Sequence, residues 1–240
     1  MGEKTIIAWT DHTFNIAWGC TKVSDGCAHC YAETLAKRYG FKVWGANGDR
    51  RVFGEAHWNE PRKWNEKSNP KKPTKVFTSS MCDVFEDHPI IDRERTKLWN
   101  LIALTPNLIW QILTKRSERI AECLPPYWDE IKDRIWLGVT VESDKYAYRL
   151  FHLNKIPCKV RFISNEPALG PLTCSLYGIK WVIYGGESGV GYRDHDPIWP
   201  IALRKRCKYE GKAFFFKQSP HLFTERGIEL EGKIVREFPK

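Results

Sequence analysis

The sequence predicts an α/β chain folded as a partial or complete (β/α) TIM-like barrel, and three observations predict it. Seven short apolar, β-branched stretches recur along the chain. Helical or loop-like segments separate them, which is the alternation of a parallel α/β fold. Nearly every stretch runs into a cluster of small or polar residues, as strands do when their C-terminal ends line a site. At 240 residues and 28.0 kDa the chain can bury one substantial core at the lower edge of barrel length, so a single domain over 1–240 is expected.

Taken in order, the first strand falls within 6–18, and six more are expected at 75–78, 108–113, 135–139, 159–163, 181–184 and 213–216. Helix-like patterns occupy 92–104, 127–134, 143–153 and 198–209. Asp92 and Ser143 suit N-caps and Gly211 a helix stop. The segment 39–73 breaks the alternation. Rich in Gly, Asn, Pro, Trp and Lys, it reads as an elaborated loop over the barrel mouth.

The strand ends carry the chemistry. They read Ser79-Ser80-Met81-Cys82-Asp83, Thr114-Lys115-Arg116, Thr140-Val141-Glu142, Ser164-Asn165-Glu166-Pro167, Gly185-Gly186-Glu187-Ser188-Gly189 and Lys217-Gln218. On a barrel all six land on the C-terminal face, where active sites are built. Polar residues end most strands, so any one cluster is ordinary; six in register are less so.

Composition narrows the class. No apolar run approaches the roughly 18 residues of a membrane span, and the start shows no export signal, so a soluble, intracellular protein without a membrane partner is expected. A net charge of +9 with 11 Trp favours polyanionic partners, nucleic acid or nucleotides among them. Of eight cysteines, three crowd into one short run, and Cys82, Cys123, Cys158, Cys174 and Cys207 are scattered singly. The length is wrong for a small disulfide framework, and metal binding is the better use of the trio.

That run, Cys20-Thr21-Lys22-Val23-Ser24-Asp25-Gly26-Cys27-Ala28-His29-Cys30, offers three thiolates in a C-x6-C-x2-C spacing directly after the first expected strand. Three thiolates can bind three irons of a [4Fe–4S] cluster and leave the fourth open. The alternative is a zinc site completed by His29 or another cysteine, although no second Cys-x2-Cys pair exists in the chain. The trio resembles the cluster motif of radical-SAM enzymes, whose usual first gap is three residues and whose third cysteine follows an aromatic. Here His29 stands at that position and the first gap is six.

The whole chain resembles a known family. Trp9-Thr10-Asp11, Gly19-Cys20 through Tyr31-Ala32-Glu33, Leu113-Thr114-Lys115-Arg116, Trp136 through Glu142, Glu166-Pro167 with Gly170-Pro171, Gly185 to Gly189, Phe214 to Gln218, and the ending Leu230-Glu231-Gly232 with Glu237-Phe238-Pro239 look like the phage Gp37/Gp68 family, also called DUF5131. Phe14-Asn15-Ile16 replaces its usual Trp-Asn-Pro, and Ser219-Pro220 stands where Trp-Gly is common.

The resemblance implies a radical-SAM type of barrel in the cytoplasm of a bacterial or phage-infected host cell. Its cofactors would be a [4Fe–4S] cluster on Cys20, Cys27 and Cys30 and S-adenosylmethionine (SAM), served by an external electron donor. Gly185-Gly186-Glu187 resembles the Gly-Gly-Glu element that meets the SAM amino group, though it follows the sixth strand rather than the second. Glu166, held extended before Pro167, would reach SAM ribose or substrate. Lys115 and Arg116 suit a carboxylate or phosphate, and Glu142 and Ser80 complete the candidate cofactor group. Two other classes stay open: a zinc-stabilised nucleic-acid-binding module, and a barrel hydrolase or lyase using the strand-end carboxylates.

Overall fold

The computed structural model describes residues 5–240. Seven parallel strands, β1 (His12–Phe14), β2 (Thr74–Thr78), β3 (Leu108–Thr114), β4 (Ile135–Thr140), β5 (Val160–Asn165), β6 (Trp181–Gly185) and β7 (Ala213–Gln218), pair in sequence order. The six later stretches expected from the sequence are strands within two residues of the expected ends, and the first strand is a three-residue piece inside 6–18. Each pairs with the strand before it in the chain, as consecutive crossover units require.

The sheet curls. Strands lie about 4.8 Å apart, so β2 and β6 would stand nearly 20 Å from one another in a flat sheet. Yet the Trp9 ring packs on both Phe77 of β2, at 4.5 Å, and Trp181 of β6, at 6.0 Å. The concave side is plugged by Trp9, Phe77, Trp136, Phe162, Trp181 and Phe215. Gly138 is required here, because a Cβ at that position would overlap the Phe162 ring. On the convex side, Val76, Ile112, Leu137, Ile163 and Tyr184 pack against the helices in the larger core.

The barrel is partial: β1 and β7 are the two edges of the sheet. The edge of β7 is covered by the returning C-terminal segment, which runs antiparallel to it through Phe216 N to Val235 O (2.8 Å) and Glu237 N to Phe214 O (3.0 Å). Covering the edge in this way satisfies amides that would otherwise offer a template for another chain. A short hairpin, β8 (Glu229–Leu230) with β9 (Lys233–Ile234), turns the chain into that return.

The helices are α1 (Tyr31–Arg38), α2 (Glu55–Trp58), α3 (Glu60–Lys67), α4 (Pro89–Ala103), α5 (Trp128–Ile131), α6 (Tyr148–Leu153) and α7 (Ile198–Tyr209). Three expectations are corrected. The N-cap of α4 is His88, whose ring accepts from Ile90 N, with Pro89 at the first helical position; Asp92 lies in the first turn instead. Ser143 opens a 3-10 turn at Asp144–Tyr146 without a side-chain cap, and α6 follows it. The segment 39–73 is not a plain loop over the mouth: it holds α2 and α3, and α3 runs toward the opposite end of the barrel, where Asn65 bonds Asn107 ahead of β3. Gly211 ends α7 with φ +66°, as expected.

Candidate functional site

The cysteine run lies on the C-terminal face of the sheet, between β1 and α1. It enters at Gly19, whose φ of +118° and close approach to Val43 O admit only glycine. A 3-10 turn at Asp25–Cys27 folds the middle of the run, and Cys30 is the residue at the N-cap of α1. All three thiols are free and half-buried.

Side chains from the segments that follow β3, β4 and β6 hold this loop. Glu142, fully buried, accepts from Ser24 Oγ at 2.5 Å through one oxygen and from Arg149 Nη1 at 2.8 Å through the other. Tyr146 OH accepts from Asp25 N (2.9 Å), and Lys145 Nζ pairs with the Asp25 carboxylate (2.7 Å). Arg193 Nη1 donates to Asp25 O (3.1 Å), and Glu187 bonds His29 Nδ1 at 3.0 Å. Arg116 donates to Thr21 O at 2.8 Å and reaches Cys20 Sγ at 3.6 Å. A Cβ on Gly26 would strike the Glu142 carboxylate, so loop and carboxylate are fitted to one another.

The candidate residues divide on this geometry. Cys20, Cys27 and Cys30 share one loop at the mouth, as the spacing suggested. Glu142, Glu187 and Arg116 reach the mouth but spend their polar atoms on the loop or on other charged side chains, Arg149, Arg193, and Asp83 with Glu86 respectively. Glu187 is buried and paired with the Arg193 guanidinium and backbone, which with His29 hold its carboxyl below the ordinary carboxylate range against the opposing effect of burial. Lys115 lies 3.7 Å from Glu142 Oε1, and its backbone donates to Asp83. Ser80 Oγ faces Asn15, and its carbonyl accepts from the Tyr31 hydroxyl.

Gly185 and Gly186 serve the chain's own packing. A Cβ on Gly185 would crowd the Glu166 side chain, and one on Gly186 would overlap Pro220. Glu166 is ion-paired with Lys217 and its side chain is partly exposed; unlike Asp83, Glu142 and Glu187 it is not engaged by an arginine. Two cavities, of about 320 Å³ beside Trp99 and Tyr127 and about 460 Å³ between Leu172 and Trp199, lie in the helical layer and are lined by none of these residues.

Three residues central to this arrangement escaped the sequence reading. Glu86 accepts from Thr21 N, Arg50 and Arg116; Arg50 is buried beneath the loop; Arg193 joins Glu187 to it. None belongs to a spaced motif, and apart from the Arg193–Glu187 pair, 6 residues apart, they reach the loop and one another across 29 to 168 residues of chain.

Burial pushes the Cys20 and Cys30 thiols upward. Arg116 opposes this at Cys20, as the backbone N–H groups of Glu33 and Ala32 do at Cys30. Among the described residues, no three His, Cys, Asp or Glu side chains form a group of the kind that holds a single metal ion. In donor chemistry the run offers three soft thiols on one hydrogen-bonded loop, the ligand type that iron–sulfur clusters take, with Arg116, Lys115 and Lys22 as the neighbouring cations.

No helix among the described residues is long and apolar enough to cross a membrane. No curated protein and no solved structure matches the chain at a significant level. The family described as "Protein of unknown function (DUF5131)" matches residues 4–239, and the chain, carrying that family's motifs from end to end on a seven-stranded parallel partial barrel, belongs to it.

Proposed function

We propose that this protein is a radical-SAM-type enzyme in which Cys20, Cys27 and Cys30 hold a [4Fe–4S] cluster beside bound SAM. The observation that supports it is the immobilised loop of three free thiols over the C-terminal mouth of a parallel partial barrel. When bound, the cluster supplies the electron that cleaves the SAM sulfonium to a carbon radical.

The chain's own contribution is holding and orienting. Glu142, Tyr146, Glu187 and Arg193 fix the loop, so the thiols meet iron without first ordering the chain between them. Glu166, paired with Lys217 and partly exposed, is the carboxylate we assign to SAM hydroxyls or substrate. The aromatic plug closes the barrel floor and keeps water from entering from below. A nucleobase, nucleoside or nucleic-acid substrate suits the +9 charge, and an external electron donor is required.

The zinc-stabilised module and the carboxylate hydrolase or lyase find less support. Of the strand-end carboxylates, Asp83, Glu142 and Glu187 are already engaged by arginines, which leaves little free acid–base capacity.

Anaerobic reconstitution with iron and sulfide, followed by metal and sulfide analysis and incubation with SAM and a reductant, tests the proposal. Cluster uptake and release of 5′-deoxyadenosine are expected. Stoichiometric zinc without sulfide would replace it with the zinc module, and formation of S-adenosylhomocysteine alone would point to methyl transfer.

A further inference from the structure

Beneath Cys20 lies a buried network of four charges, two from strand ends, Asp83 and Arg116, and two that no strand-end cluster contains, Glu86 and Arg50. Arg116 Nη1 donates to Asp83 Oδ2 (3.0 Å) and Arg116 Nη2 lies 3.3 Å from Glu86 Oε1. Glu86 is paired in turn with Arg50, through Nε at 2.8 Å and Nη2 at 2.9 Å. The side chains of Arg50 and Glu86 are 1% and 3% exposed, and those of Arg116 and Asp83 8% each.

The network is rigid by construction. Asp83 is fixed by Thr114 Oγ1, Phe85 N and Lys115 N. Arg50 donates to the carbonyls of Val43, Asp49 and Gly45 and to Thr21 Oγ1. Two carboxylates and two guanidiniums make the frame neutral. A thiolate at Cys20 would therefore add one uncompensated negative charge in a buried place, which is costly unless a donor meets it.

One N–H of this frame does meet it: Arg116 Nη1, 3.6 Å from Cys20 Sγ. Neither other thiol meets a cationic side-chain donor among the described residues: Cys30 is met by the backbone N–H groups of Glu33 and Ala32, and Cys27 Sγ by the Ser24 hydroxyl at 3.6 Å. Hydrogen bonds and positive charge at a ligand sulfur stabilise the reduced, more negative state of an iron–sulfur cluster and raise its potential.

We propose that Arg116 is a positioning and tuning residue for the thiol loop: held by Asp83 and Glu86, it donates to Cys20 Sγ and sets the reduction potential of the group bound there. The proposal rests on the cluster reading above. It predicts opposite effects from two substitutions in the same network. Arg116→Gln removes the cation at the sulfur and lowers the potential, with Arg116→Lys shifting it in the same direction by less, since lysine keeps the charge but not the fork that spans Asp83, Glu86 and the loop. Glu86→Gln leaves Arg116 less neutralised and raises the potential. A general loosening of the fold has no reason to give opposite signs.

The experiment is a redox titration followed by electron paramagnetic resonance on reconstituted parent, Arg116→Lys, Arg116→Gln and Glu86→Gln proteins, each with iron and sulfide counted. Shifts of opposite sign at equal cluster content are expected. Equal potentials in all four overturn the tuning role and leave Arg116 as a structural ion pair. If both Arg116 variants fail to load, the Glu86→Gln potential decides: a rise supports the proposal, and no change or a fall overturns it. A parent protein that takes up no iron and sulfide overturns the cluster reading itself, and the role of Arg116 falls with it.

Discussion

Three thiols and two carboxylates carry the residue-scale expectations. On the proposed cluster reading, removing any one of the cysteines takes a ligand from a three-thiolate set, so Cys20→Ala, Cys27→Ala and Cys30→Ala should each abolish the charge-transfer absorbance of reconstituted protein, whereas Cys158→Ala should retain it. If Glu166 meets SAM as proposed, Glu166→Gln removes one charge-assisted hydrogen bond and should weaken SAM binding by about 1.5–3 kcal/mol, read by calorimetry on reconstituted protein. Unchanged affinity would return Glu166 to a plain ion pair with Lys217. Glu187 behaves differently because Arg193 and His29 already hold it. Its carboxyl lies below its ordinary value in the folded chain, so the unfolded chain binds the proton more readily. That stability is present above the ordinary carboxylate value and is lost as pH falls through the depressed folded value. Melting curves from neutral pH to about pH 3 should fall less steeply for Glu187→Gln than for the parent; parallel acid limbs would show that the pair contributes nothing.

At the scale of elements, the thiol loop and the C-terminal return depend on contacts made by distant parts of the chain. The loop has only a 3-10 turn of its own, and its shape comes from Glu142, Tyr146, Arg193 and Arg116. Gly26→Ala would drive a methyl into the Glu142 side chain, whose other oxygen is anchored by the buried Arg149. Overpacking of this kind costs about 1–3 kcal/mol, and iron uptake should fall along with the melting temperature. The C-terminal return protects β7 in the same dependent way. A chain ending at Leu230 would lose Val235 and Glu237, and hydrogen exchange should then show faster exchange at Phe214 N and Phe216 N, which bond Glu237 Oε2 and Val235 O. Retained protection at both amides would mean that β7 needs no cover.

The whole molecule rests on the aromatic plug. Trp181, fully buried, contacts Trp9, Trp136, Phe162, Phe215 and Phe238, and its indole N–H donates to Glu237 O. Trp181→Ala should cost about 3–5 kcal/mol, a large share of the 5–15 kcal/mol typical of a domain, and denaturant unfolding reads it directly. A smaller loss would mean that Phe238 collapses into the space.

Apolar strands, their order and the placement of the cysteines at the mouth were determined by the sequence alone. Period, β-branching and chain alternation are local properties, and consecutive parallel pairing follows from them with few alternatives. Helix boundaries were less legible: α1 passed unnoticed because its eight residues carry only Ala32 and Ala36 to the core, and His88 capped α4 where Asp92 has the better capping chemistry. Tertiary structure alone decided what the charged residues do. Lys115, Arg116, Glu142 and Glu187 each follow a strand, which placed them at the mouth, but whether a carboxylate faces a ligand or an arginine depends on partners far away in the chain. Ion pairing carries no sequence period, so only the folded geometry could bring Arg50, Glu86 and Arg193 under the thiol loop and leave Glu166 with Lys217 beside the open mouth.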